Sequence, residues 1–571
     1  LFLRAKRLHI LRYVRQPWSV LMSPRQNWNP GPRVRELSCL LVGWGSETGS
    51  AGEAEFGQRL AELLREIPYF RDYPDQVRLV DSHGDPMTHS VVAIVRGKGR
   101  RALAMAGHYD VVSIENYREL APLAFKPDEL LAALIADLES RSLKAGERRA
   151  LEDFKSGEFL PGRGLLDMKS GIAAGIAVLE DFAADPERIG NLVLIATPDE
   201  ERGSRGMRSL RDALPAIAAE FELDIEAGIN LDATSDQGDG SEGRAIYRGT
   251  IGKALPFALI VGHSSHASYP FEGISAQLMA SEITRAVEAN PALCDTAAGE
   301  ISPPPICLEA KDLRAGYEVT TPERVWIAFN WLSHNRTARE LLALFEQAVR
   351  TATTTAIEQF TQHARSYAAM LGAAQAAPVA AAQLISVAEL RELVERVGGR
   401  DAVAKVSHVE QQLRGFDDPL AQTRKIVGAM VTEAGLTGPA VVYGFSSLVY
   451  PSTHISRTER DSGFADAIEG ARLAHEKAGG SPLRYREYFT GISDMSFFGH
   501  RPSDTDGAYI AANTPTSELV DKVYADALSF PVVNIGPWGR EFHQRLERVH
   551  APYAFEDLPK FIREIVKRFL G

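Results

Sequence analysis

Residues 101–107, RALAMAG, form an apolar run that stops at a glycine and is followed by two ionisable side chains, His108 and Asp110. A short run of this kind reads as a strand buried on both faces, which requires helices above and below it. The texture recurs in NLVLIATP (191–198) and AGINLD (227–232), while SGIAAGIAVLEDFAAD (170–185) reads as a helix with small residues on its packing side. ETGSAGEAEFGQRLAELLREIPYF opens with turn residues and becomes an amphipathic helix from Glu53. Alternating buried strands and helices predict an α/β fold with a mixed sheet sandwiched by helices.

The strand ends carry the second message. His108 and Asp110 follow the first run, Glu200 and Glu201 follow NLVLIATPD, and Asp232 ends INLD. Asp167 precedes a helix, and His543 lies just beyond PVVNIG (531–536). In open α/β sheets, ligands collect at the carboxyl ends of strands. Charge placed there is costly to bury unless it is paired or bound to a metal. Alone, a His-x-Asp is a surface turn and a Glu-Glu pair a solvated helix start. Together, two histidines and several carboxylates are a donor set for two divalent cations, zinc first, cobalt or manganese next.

Composition closes off other classes. The 571 residues carry a net charge of -12 with no basic stripe interleaved with aromatics, so no nucleic-acid partner is expected. Cys39, Cys294 and Cys307 are too scattered for a disulfide framework or a thiolate zinc site, and a cytoplasmic location is expected. No run of about 18 strongly apolar residues suggests a membrane span. Residues 1–32, which begin LFLRAKRLHILRYVRQPW, are expected to be an N-terminal extension; their basic, acid-free start has the composition of a transit peptide or membrane-surface helix, but the opening Leu in place of Met favours an off-frame start or added residues.

The texture changes after Tyr247. Strand, helix, strand and long helix follow one another over 247–360, predicting a smaller inserted α+β lid or dimerisation domain. Residues 361–437 read as a helical insertion. PAVVYGFSSLVYP (439–451) and PVVNIG return to buried-strand composition, so 33–246 and 438–571 are expected to form one metal-binding catalytic domain.

H-Y-D at 108, G-R-G-x-x-D-M-K-S-G at 162, P-D-E-E-x-x-S-x-G-M at 198, N-L-D at 230 and G-P-x-G-x-x-x-H at 536 follow in this order. The series resembles the dinuclear zinc peptidases and deacylases, which include acetylornithine deacetylase, succinyl-diaminopimelate desuccinylase, aminoacylase and glutamate carboxypeptidase. E-N-Y at 115, G-T-I-G-K-x-L-P at 249 and the prolines near 304 resemble the RocB-type arginine-utilisation branch.

The resemblance implies roles. Asp167 would bridge two metals, His108 and Asp232 would complete one site, and Glu201 and His543 the other. Asp110 would orient His108, and Glu200 would be the general base. His266, in HSSHASYP, would donate to the oxyanion from a neighbouring subunit or a closed lid, while His263 is structural. His500 and His550 compete with His543 for the last ligand position; the strand and glycine-rich turn before His543 favour it. Asn330, Arg336 and Asp494 are the substrate-binding candidates, although the Asp-x-Arg pattern of many relatives is absent. The implied reaction is hydrolysis of an amide in a small peptide or N-acyl amino acid, within arginine or related amino-acid metabolism, by a chain that pairs as a homodimer through the lid. The alternative is a catalytically silent binding or regulatory protein on the same fold.

Overall fold

A computed structural model describes residues 28–571 except 237, 239, 374–378, 417, 456–458, 502 and 523. Residues 1–27, and with them the basic segment, lie outside the described residues. Residues 28–32 are not an extension, because helix α1 (Gly31–Gly43) already begins there and Trp28 packs under Arg563.

The larger sheet is built on three parallel strands, β3 (Lys98–His108), β4 (Ile189–Thr197) and β5 (Asp224–Asn230), with β3 in the middle. Antiparallel β1 (Val77–Asp81) and β2 (His89–Val95) extend it beyond β4. On the other side, β14 (Val532–Asn534) runs parallel to β5, followed by β6 (Ala245–Tyr247) and β13 (Arg484–Arg486). Period-two alternation along β3 explains the burial on both faces. Leu103 and Met105 pack towards α2 (Ala51–Arg65), α3 (Ser170–Ala183) and α10 (Leu558–Leu570). Ala102, Ala104 and Ala106 pack towards α4 (Arg205–Glu220), Phe497 and Phe530. Ser50 caps α2 by accepting the Glu53 N–H.

The second sheet centres on β8 (Pro256–Val261) and β10 (Arg324–Ser333), which are antiparallel neighbours. β7 (Gly252–Ala254) and β9 (Ile306–Asp312) also pair with β10. Val325, Ile327, Phe329 and Trp331 face α5 (Ala276–Val287) and α6 (Ala338–Met370). The alternate residues Trp326 and Ala328 face α7 (Val387–Gln412) and α8 (Pro419–Glu433).

Three sequence expectations change here. The run 440–445 becomes β12 (Ala440–Phe445), paired with β8 in the smaller sheet, rather than a strand of the larger one. A doubly buried strand has the same composition in either sheet, so its sequence cannot say which it joins. Residues 361–437 contain a strand, β11 (Gln383–Ser386), parallel to β12, and α7 and α8 form the second helical layer on this sheet. Residues 504–519 also return to this unit, where the Asn513 carbonyl accepts from the Phe445 N–H.

Two passages between the sheets run side by side as an antiparallel ribbon. Thr250 pairs with Thr453 and Gly249 with His454, and Lys253 and Tyr450 exchange two backbone hydrogen bonds of 2.9 Å. Among the described residues, no helix is long and apolar enough to cross a membrane.

Candidate active site

The parallel strands β3, β4 and β5 all end at the same edge. β3 ends in His108, the turn after β4 presents Glu200 and Glu201, and Asp232 follows β5 by two residues. Asp167 comes from the turn Leu165–Lys169 ahead of α3. His543 comes from the turn after β15 (Trp538–Arg540), with its backbone in the left-handed region at φ 63°. Asp167 Oδ1 lies 3.1 Å from His108 Nε2, and its Oδ2 lies 3.1 Å from His543 Nε2. Glu201 Oε1 is 3.1 Å from His543 Nε2, while Asp232 Oδ1 is 3.7 Å from His108 Nε2. One carboxylate therefore serves two imidazoles through different oxygens, and each imidazole has its own flanking carboxylate. The oxygen-rich donor set with two imidazoles, His108 buried and His543 open to the cavity, fits two divalent cations of the zinc, cobalt or manganese type.

Surrounding groups fix these side chains. Asp110 does more than face His108. Its carboxylate accepts the backbone N–H groups of Glu200 (3.0 Å) and Glu201 (3.2 Å) and the Thr48 hydroxyl (3.0 Å). The second ring nitrogen of His108 is 3.1 Å from the Asp110 carbonyl oxygen and 3.5 Å from Oδ1. Asp232 accepts from Ser493 Oγ at 2.9 Å, and the Asn534 side chain brackets its backbone. His543 is clamped by its main chain: its N–H donates to Glu547, and its carbonyl accepts from Asn116 Nδ2 at 2.8 Å. Glu547 also accepts from Arg163 and, at 3.1 Å, from the Gly164 N–H. Gly164 has φ 77°, and a Cβ there would overlap Val111.

The electrostatics follow from crowding. Burial opposes charge on His108, but Glu200, Asp110, Asp167 and Asp232 outweigh it and hold the imidazole well above its usual range. Burial likewise opposes charge on His543, yet hydrogen bonds to Asp167 and Glu201 push it up to about 11. Burial raises the Glu200 carboxyl well above the usual range, His108 pulls it back, and Asp232 and Glu201 add to the rise. Asp167 is lowered despite burial by its two histidine partners.

The cluster opens on a cavity of about 270 Å³ lined by Asp167, Glu200, Glu201, Asp232 and His543 on one side and by Lys253, Tyr450 and Phe489 on another. Other candidates fall elsewhere. Asn330 lies on β10 with the parity of Trp326 and Ala328 and does not line the cavity. Arg336 spends its guanidinium on the carbonyls of Leu293 (2.6 Å) and Cys294 (2.8 Å). Asp494 is buried behind β4, accepting from Thr197 Oγ1 at 2.8 Å, and does not face the cavity. His266 is exposed on the smaller unit, where its Nδ1 accepts from the Ser268 N–H. Neither His500 nor His550 approaches the cluster; His550 faces Glu158, and His500 lies near Arg211. Sequence reasoning missed Thr48, Glu53, Arg163, Asn116 and Ser493 as supports. Glu53 is buried and accepts from the Asp199 N–H at 3.0 Å, a role hidden behind an ordinary helix start.

Residues 142–505 match Peptidase family M20/M25/M40. The chain is 32% identical over 558 residues to the protein YqjN of Bacillus subtilis, covering 95% of this chain and 97% of that one. It is 27% identical over 559 residues to RocB of the same organism, covering 95% and 96%. The crystal structure of the M20 family metallo-carboxypeptidase Sso-CP2 from Sulfolobus solfataricus shares the fold, with a TM-score of 0.50 and 12% identity over 94% of this chain and 99% of that one. With its order of motifs, its fold and these matches, the chain belongs to peptidase family M20/M25/M40, whose members are metal-dependent hydrolases of amide bonds.

Proposed function

We propose that this chain hydrolyses the amide bond of a small peptide or N-acyl amino acid, with Asp167 as the bridge between two divalent cations. The observation that carries this reading is the bidentate reach of Asp167, one oxygen 3.1 Å from each histidine. His108 and Asp232 would hold one cation, and Glu201 and His543 would hold the other. When bound, two such cations polarise the scissile carbonyl and make the attacking water more acidic.

Glu200 does the proton work. It lines the cavity, and its backbone is locked by the Asp110 carboxylate. Its carboxylate takes the proton of the attacking water and passes it to the leaving nitrogen, a role typically worth about 10²–10⁴ in rate. His266 would reach the reacting oxygen from a second copy or after closure of the smaller unit, which acts as a lid and dimerisation surface. The resemblance to the arginine-utilisation branch supports a substrate from arginine or related amino-acid metabolism. Glu200→Gln tests the assignment. It should retain bound metal and lose turnover by about 10²–10⁴; a variant with near-native turnover would remove Glu200 from the role.

A further inference from the structure

The cavity has a cationic wall that nothing in the reaction chemistry above uses. Lys253 belongs to the ribbon that connects the two sheets, opposite the wall carrying Asp167, Glu200, Glu201 and Asp232. The two backbone hydrogen bonds exchanged with Tyr450 fix the root of its side chain. Its Nζ lies 4.5 Å from the centroid of the Tyr450 ring and close enough to the Glu200 carboxylate to feel its charge. Arg163, Arg211 and Arg548 are paired with Glu547, Asp521 and Asp153, while the buried Lys169 ammonium, without a hydrogen-bond partner among the described residues, lies over Phe56 and does not line this cavity. Arg202, the second cation at this cavity, is exposed at its rim. Burial pulls the Lys253 ammonium below the usual lysine range, with Glu200 partly restoring it. A substrate anion would give this ammonium a second counter-charge besides Glu200.

We infer that Lys253 is a specificity-determining residue that takes a carboxylate group of the substrate, holding it against the connecting ribbon while the amide faces Glu200. Neither Asn330 nor Arg336 is placed to do this, since Asn330 does not line the cavity and the Arg336 guanidinium is occupied by carbonyls. The inference rests on the amide-hydrolase reading for the identity of the rest of the substrate. Substrate charge is then read by the passage between the two sheets, where Lys253 and Tyr450 also border a second cavity of about 450 Å³. A carboxylate met by a buried ammonium forms a charge-assisted hydrogen bond, which discriminates strongly against a neutral isostere.

The test is calorimetric titration of zinc-loaded Glu200→Gln with N-acetyl amino acids and their C-terminal carboxamides, with and without Lys253→Met or Lys253→Gln. With Lys253 present, the carboxylates should bind roughly 10–100-fold tighter than the carboxamides, and the ratio should fall below about threefold in either variant. The glutamine variant keeps a long polar side chain, so it carries the test if the methionine variant does not fold. A ratio near one with Lys253 present, or an undiminished ratio without it, overturns the inference. An equal loss of affinity for carboxylate and carboxamide also overturns it, because it would assign Lys253 to the reacting carbonyl. Wild-type turnover of the same panel separates the two ideas. Turnover without a Lys253-dependent preference overturns this inference alone, whereas the preference without turnover supports it and removes the hydrolase reading.

Discussion

At the scale of single residues, the site is defined by what each polar group is given to bond. Asp167 has a histidine on each oxygen, Asp110 has two backbone N–H groups and a hydroxyl, and Lys253 has the Tyr450 ring face and the charge of Glu200. His500, a rival ligand in the sequence, illustrates the opposite case. Burial lowers its pKa to about 4, with Arg211 adding to the fall. Its folded value lies below the unfolded value of about 6.5, so the unfolded chain binds the extra proton first. Stability from this residue is therefore complete above about pH 6.5 and is lost as pH falls towards 4. His500→Gln should gain on the wild type by about 2–3 kcal/mol between pH 7.5 and pH 4.5, read as a melting-temperature difference that grows on acidification. A constant difference would show that His500 does not titrate in this window.

At the scale of elements, strand ends deliver the clustered carboxylates and His108, but other segments aim them. Glu200, Glu201 and Asp232 were legible because each follows an apolar run, and a charge there needs a partner. The aiming groups were not legible. Asn116 sits in a helical turn 427 residues away in sequence from His543, and its side chain becomes meaningful only when the β15 turn folds against it. Asp494 looked like a cleft residue but packs behind Thr197, because proximity in sequence to Ser493 does not settle which way a side chain points. Asn116→Ala removes the donor to the His543 carbonyl. One of the two cations should then bind about 10–100-fold more weakly, as is typical when a group supporting a ligand is lost. Stepwise metal titration followed by elemental analysis reads this directly, and two unchanged affinities would contradict the clamp.

At the scale of the whole molecule, two sheets meet along the ribbon of residues 249–254 and 450–454, with the cluster on one side and α6 on the other. The order of buried strands announced a layered α/β chain, yet it misplaced the return to the larger sheet at 438. The segment 361–437 is part of the smaller unit's core, with Trp326 stacked on Phe257 at 4.6 Å beneath α7 and α8. Trp326→Ala should cost about 3–5 kcal/mol and expose that helical layer. Limited proteolysis should then cut within 387–433 well before the larger sheet; unchanged protection of those helices would mean that they fold as an independent insertion.

The measurement that bears most directly on the central claim is metal content per chain, determined by elemental analysis of the wild type and of Asp167→Ala. Near two equivalents of zinc, cobalt or manganese in the wild type, largely lost in the variant, is the expected result. A wild type that holds no metal after incubation with these ions, or a variant that keeps both equivalents, would contradict the bridging role on which the mechanism stands.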